Sequence, residues 1–168
     1  MALHQLKRKQ ILPISLEQAW EFFSSPFNLA KITPPDMGFK VKLVRPEDKM
    51  YPGMIIAYRV SPLLNIPMSW VTEITHVQEP YYFVDEQRFG PYSLWHHQHH
   101  FREVAEGVEM IDIVSYKIPF GIIGDLANAL FVRKRLEHIF DYRYQTLEKM
   151  FPSKKEAVTL SKSEYHSH

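Results

Sequence analysis

Residues 81–118 read YYFVDEQRFGPYSLWHHQHHFREVAEGVEMIDIVSYKI, and their alternation decides the fold. Three runs, 81–89, 93–104 and 108–118, alternate side-chain character with a period of two, as a pleated strand requires. Turn residues separate them, Gly90-Pro91-Tyr92 and then Glu106-Gly107. Strands joined by such short turns form an antiparallel meander.

Parity then assigns faces, because a strand sends successive side chains to opposite sides. In 93–104 the odd positions Trp95, His97, His99 and Phe101 carry large aromatics at both ends and are expected inward. In 108–118 the even set Val108, Met110, Asp112, Val114, Tyr116 and Ile118 is the more apolar. A two-residue turn at Glu106-Gly107 sets His97 opposite Tyr116, His99 opposite Val114 and Phe101 opposite Asp112. A three-residue turn at 90–92 aligns Gln87 with Trp95 and Asp85 with His97.

Upstream, residues 68–77 are a further strand, turning at Glu79-Pro80. That turn puts Trp70, Thr72, Ile74 and His76 on one face with Phe83, Asp85, Gln87 and Phe89. Glu73, Glu86 and Arg88 are left to pair in solvent on the other. Phe39, Val41 and Leu43, then Met54, Ile56, Tyr58 and Val60, mark two earlier strands, and residues 4–12 mark the first. After it, Ser15-Leu16-Glu17-Gln18 is a capping box with Gln18 at N3. Ser25-Pro26 opens a second short helix, which ends before Thr33-Pro34-Pro35.

Downstream, Gly121 and Gly124 break the last strand, and 125–151 read as one long helix. Leu126, Ala129, Leu130, Val132, Leu136, Ile139, Phe140 and Leu147 approximate its apolar face. The predicted architecture is α+β: about seven strands in a curved antiparallel sheet wrapped around the C-terminal helix, with two short helices after strand 1. A ligand pocket is expected between sheet and helix.

Composition bounds the rest. With 45% hydrophobic residues and a net charge of +1, the 168-residue chain reads as one globular domain over 1–152, followed by a mobile polar tail over 153–168. The charge balance argues against a nucleic-acid partner. The absence of cysteine excludes disulfides, thiolate metal sites and cysteine nucleophiles. Residues 1–14 lack a signal-peptide core, and no window has the length of a membrane span, so the expected location is cytoplasmic, with no integral membrane association. No Walker loop, dinucleotide glycine motif or Gly-x-Ser-x-Gly elbow is present. No cofactor is expected, and a homodimer is left open.

The chain resembles the START/Bet v1-like (SRPBCC) superfamily over about residues 3–151. More narrowly, it is similar to a bacterial branch of small ligand-binding domains related to polyketide cyclases and dehydrases and to lipid-transport domains. Some members of that branch are fused to sugar-epimerase-like dehydrogenases. The matching stretches are Ile32-Thr33-Pro34-Pro35, residues 70–75 (WVTEIT), Phe83-Val84-Asp85-Glu86-Gln87, and Gly90-Pro91-Tyr92 with Trp95, His97, His99 and Phe101. The resemblance implies a helix-grip fold and a hydrophobic cavity rather than one reaction, since members bind lipids, sterols, quinones and polyketides and some are cyclases or dehydratases.

The residues expected to meet a small hydrophobic ligand are Tyr58, Trp70, Thr72, Asp85, Gln87, Trp95, His97, His99, Phe101, Asp112 and Tyr116. Two inward histidines two apart on a strand sit about 6 to 7 Å from each other and are compatible with a shared metal. No local spacing fixes a third ligand, so the plainer reading is a hydrogen-bonded pair lining a semi-polar pocket, with His96 and His100 facing solvent and no metal. The leading reading is a binding or carrier domain. The alternative is a cyclase- or dehydratase-like enzyme using His97 with Asp85 as an acid–base pair. Arg133, Lys134 and Arg135 read as a solvated face.

Overall fold

The computed structural model describes residues 2–43, 49–61 and 66–153. From residue 154 onward, the expected polar tail lies outside the described residues. The elements run β1 (His4–Leu12), α1 (Leu16–Phe23), α2 (Pro26–Lys31), a 3-10 turn (Pro35–Met37), β2 (Lys40–Leu43), β3 (Met54–Val60), β4 (Met68–Gln78), β5 (Tyr82–Phe89), β6 (Leu94–Val104), β7 (Gly107–Lys117), α3 (Gly121–Ala127), a π turn (Asn128–Val132) and α4 (Arg133–Met150). Seven antiparallel strands lie in the order β1-β7-β6-β5-β4-β3-β2. The chain is therefore a meander from β2 to β7, with β1 added against its last strand.

The local signals place the elements. Ser15 Oγ accepts from the Gln18 amide at 3.2 Å, while Gln18 Oε1 accepts from the Ser15 amide at 2.9 Å. This reciprocal box satisfies two helix-end donors. Pro26 occupies the first turn of α2, where its missing N–H costs nothing.

Register follows the expected parity but not the expected offset. His97 pairs with Val114, His99 with Asp112, Phe101 with Met110 and Trp95 with Tyr116. The turn is Ala105-Glu106, because Gly107 is already in β7 opposite Val104. A Cβ on Gly107 would run into the Leu12 carbonyl oxygen, and its φ of 136° is one that L side chains rarely adopt. Asp85 does pair with His97. Thr72 pairs with Gln87 and Ile74 with Asp85, but irregularities on either side pair His76 with Val84 and Val71 with Phe89. His76 and Phe89 are consequently exposed rather than inward. On the outer face Arg88 does pair with Glu73 at 2.5 Å.

The C-terminal helix begins at Gly121, four residues early, and is not uniform. Leu126, Ala129 and Leu130 are exposed, contrary to the expected apolar face. The inward positions there are Gly124 and Asn128. Gly124 sits so close to Pro119 that a Cβ would meet its carbonyl oxygen. The wider π turn then shifts the phase, bringing Val132, Leu136, Ile139 and Phe140 inward. These four pack with Val114, Tyr116, Ile118 and Tyr92, while Leu147 packs with Trp20, Phe101 and Met110 under α1. Among the described residues, no helix is long and apolar enough to cross a membrane.

Candidate functional site

Sheet and helix leave a cavity of about 160 Å³ between them. One wall is aromatic: Trp70 meets Trp95 edge to face with centroids 5.2 Å apart, and Tyr92 lies 4.9 Å from Trp95. Ile56, Ile74, Leu136, Ile139 and Phe140 add aliphatic and ring surface. Tyr58 and Thr72 also line it. Burial first, then the charge of Asp85, raises the Tyr58 phenol far above its usual range, so it stays neutral.

At one place the lining turns ionic. Asp85, His97, His99 and Arg143 all reach the cavity. Their partnering differs from that expected. His99 Nε2 donates to Asp85 Oδ2 at 2.8 Å, whereas His97 Nδ1 is 3.5 Å from the same oxygen. Behind them, Asp112 Oδ1 accepts from His97 Nε2 at 3.0 Å and lies 2.9 Å from His99 Nδ1. The close hydrogen-bonded partner of His97 is thus Asp112, and that of Asp85 is His99. The two imidazoles also lie closer than the expected 6 to 7 Å, with centroids 3.7 Å apart. Phe83 stacks on His99 at 4.1 Å, and Phe140 meets His97 at 5.8 Å, so packing fixes both rings.

Electrostatics set the groups apart. Burial pushes the Asp85 carboxyl up, but His97, His99 and Arg143 outweigh it and hold it below its ordinary value. Burial likewise works against ionised Asp112, yet hydrogen bonds from both histidines hold it well below the carboxylate range. His97 is lowered by burial and by the neighbouring His99. His99 feels the same burial, but its two carboxylates win and raise it. The arrangement is a closed ring of two acids and two imidazoles backed by one guanidinium.

Neither a family model nor a curated protein matches the sequence. Solved structures do match it in shape. The chain is similar to ginseng major latex-like protein 151 from Panax ginseng, at 12% identity and a TM-score of 0.64 over 89% of this chain and 97% of that one. It is similar to Ara h 8.0201 at 11% identity and a TM-score of 0.60, over 88% and 99% of the two chains. Protein CV1439 from Chromobacterium violaceum matches at 15% identity and a TM-score of 0.64, over 88% and 96%. The fold is the Bet v 1-like helix grip.

Within this helix grip, seven of the residues expected at the ligand line the cavity: Tyr58, Trp70, Thr72, Asp85, Trp95, His97 and His99. Four do not. Gln87 clamps the 90–93 loop instead, donating to the Tyr92 carbonyl at 2.6 Å and accepting from its amide at 3.2 Å. Phe101 is core beneath Trp20 and Phe23. Asp112 lies behind the histidines. Tyr116 donates its hydroxyl to Asn128 Oδ1 at 2.9 Å. His96 and His100 lie on the other face in a ladder with Glu86 and Gln98.

The residue missed is Arg143. It is buried, its Nη1 is 4.0 Å from Asp112 Oδ2, and its guanidinium lies over the Phe140 ring at 4.8 Å. Its Nε has no hydrogen-bond partner among the described residues. The signal was a spacing. Position 143 falls on the same helical stripe as Leu136, Ile139, Phe140 and Leu147, so a charge there is a charge on the buried face.

Proposed function

We propose that this chain binds a small, mostly apolar molecule of lipid, quinone or polyketide character, with a hydroxyl or carbonyl oxygen at one end. The observation that carries the reading is the division of the cavity wall. Aromatic and aliphatic side chains form most of it, and Asp85, His97, His99 and Arg143 meet at one place. The volume equals room for roughly ten waters, which is larger than a packing defect. A buried Arg143 Nε without an acceptor supports an oxygen-bearing ligand, because an unpaired buried donor costs about 1–3 kcal/mol. Asp85 supplies the complementary acceptor for a hydroxyl. The solved structures similar in shape point to a ligand-binding fold and add no ligand. A cytoplasmic location suits such a carrier.

The second reading is acid–base catalysis. It is favoured by the 3.0 Å bond that orients His97 on Asp112, the geometry of an oriented base. In that case His97→Ala abolishes turnover of a bound ketone, whereas in a carrier it only weakens binding.

The first test is the native mass of freshly purified protein beside its denatured mass. An organic adduct lost on denaturation is expected. Thr72→Trp, which fills the cavity from β4, is expected to remove it. A bare chain mass, joined to unchanged Trp70 and Trp95 fluorescence across a panel of apolar phenols and ketones, would sink the proposal.

A further inference from the structure

The histidine pair has two sides with different chemistry. On the inner side, one oxygen of Asp112 accepts from His97 Nε2 at 3.0 Å and lies 2.9 Å from His99 Nδ1. A carboxylate accepts only N–H donors, so the hydrogen bond from His97 Nε2 leaves the lone pair of that ring on Nδ1. The other nitrogens of the two rings, His97 Nδ1 and His99 Nε2, then face Asp85 Oδ2 at 3.5 and 2.8 Å. His97 Nδ1, the Asp85 carboxylate and His99 Nε2, which gives up its proton when it ligates, converge on the cavity side, with one candidate ligand atom from each residue lying within 4.8 Å of the others.

His97 Nδ1 and the Asp85 carboxylate are both acceptors, and acceptors that face one another repel unless a positive charge lies between them. A proton can close the short His99–Asp85 contact. It leaves the longer His97–Asp85 pair at the edge of hydrogen-bond range. A divalent cation satisfies all three at once. With bonds of 2.0–2.2 Å in tetrahedral geometry, donor atoms stand about 3.3–3.6 Å apart, beside the 3.5 and 2.8 Å that separate Asp85 Oδ2 from the two imidazoles. Asp112 then occupies the place of the outer carboxylate that holds ligating histidines in orientation. Phe83, Phe140 and the ring–ring contact keep both imidazoles rigid.

We propose that Asp85, His97 and His99 bind one first-row divalent cation whose remaining coordination positions open into the cavity. Two imidazoles and a carboxylate are donors that suit such ions. Of the two acids and two histidines, Asp85, His97 and His99 line the cavity, whereas Asp112 stands behind them. The charge count also specifies the fourth donor. With neutral histidines, two carboxylates and one guanidinium leave one negative charge, and a divalent ion turns this into one positive charge. A deprotonated oxygen, phenolate, enolate or hydroxide, balances it. The cation site stands without any organic ligand; only the phenolate or enolate donor rests on the function proposed above.

The test is calorimetric titration of Zn²⁺ into chelator-stripped full-length protein, beside Asp85→Asn, His99→Ala and Asp112→Asn, each checked for fold by circular dichroism. The expected result is one zinc per chain, weakened roughly 100-fold or more by Asp85→Asn or His99→Ala. Asp112→Asn, which touches no metal, is expected to weaken it by about 10–100-fold. Cobalt-loaded protein is expected to show visible bands of a four- or five-coordinate site, and Asp85→Asn, nearly isosteric, to lose them. Absence of stoichiometric uptake would overturn the proposal. So would uptake unchanged in the folded Asp85→Asn protein, which would place the zinc on other histidines such as His76 or His138. Zinc bound without any organic ligand overturns only the proposed function, and an organic ligand bound by protein that takes no zinc overturns only this site.

Discussion

Arg143 Nη1 on α4 stands 4.0 Å from Asp112 Oδ2 on β7, and this contact ties the helix to the sheet just behind the ionic part of the cavity wall. Both residues are buried. Removing the cation leaves Asp112 and Asp85 with one compensating charge fewer. Breaking a buried pair from one side costs about 3–5 kcal/mol. Arg143→Met is expected to fall in that range by urea unfolding. The double variant Arg143→Met with Asp112→Asn is expected to lose less than the sum of the singles, because the charge left behind by one change is removed by the other. Strict additivity would mean the two do not interact.

The exposed start of the C-terminal helix gives a second expectation. Leu126 is 60% exposed and Leu130 50%, whereas Leu147 is fully buried. Leu126→Ala and Leu130→Ala are expected to change stability by no more than about 0.5 kcal/mol. Leu147→Ala is expected to cost about 2–5 kcal/mol through lost burial and a cavity under Trp20 and Phe101. Equal losses at all three would contradict the inward turn of Gly124 and Asn128.

Much of this molecule is legible in its residues. Period-two alternation reports faces directly, so the inward placing of Trp95, His97, His99 and Phe101 needs only parity. Offsets are another matter. They depend on which residues make the turn, and Ala105-Glu106 differs from Glu106-Gly107 by one residue while moving every partner by two. The ionic ring is less legible still. His99 meets Asp85, rather than His97 alone, because ring rotations and the Phe83 stack decide it. Arg143 was readable from its helical stripe, but a π turn upstream of it obscures the phase of the whole helix.

Gly107 is the local reason for the true offset, and it carries a third expectation. Its φ is 136°, and any Cβ would collide with the backbone of Leu12 where β1 ends. Gly107→Ala is expected to lower stability by about 1–3 kcal/mol, the usual cost of a residue held in a sparsely populated backbone region. Thermal unfolding measures it. Gly53→Ala is the control: its φ of 91° is similarly unusual, but among the described residues nothing beyond its chain neighbours lies within 4 Å of its added Cβ. A loss at Gly107 no larger than at Gly53 would remove the steric part of the argument and leave only the backbone angle.

The last expectation concerns acid. Glu109 on β7 pairs with Lys9 of β1 and, at 2.6 Å, with Arg102 of β6, so one carboxylate links three neighbouring strands. The Lys9 hydrogen bond is the main influence, and with Arg102 it outweighs burial and holds the carboxyl below its ordinary value. The sign follows from proton binding. The unfolded chain takes up the proton more readily than the folded one, so stability rises with pH across the interval between the two pKa values. The contribution is complete above the unfolded value of about 4.3 and fades as pH falls through the lower folded value. Glu109→Gln is therefore expected to be less stable than the parent near pH 7, with the difference narrowing below the unfolded value and closing in stronger acid. Urea midpoints measured for both proteins from pH 7 down to the acid limit of folding decide it. A gap that stays constant with pH would assign the loss to packing and not to the ion pairs.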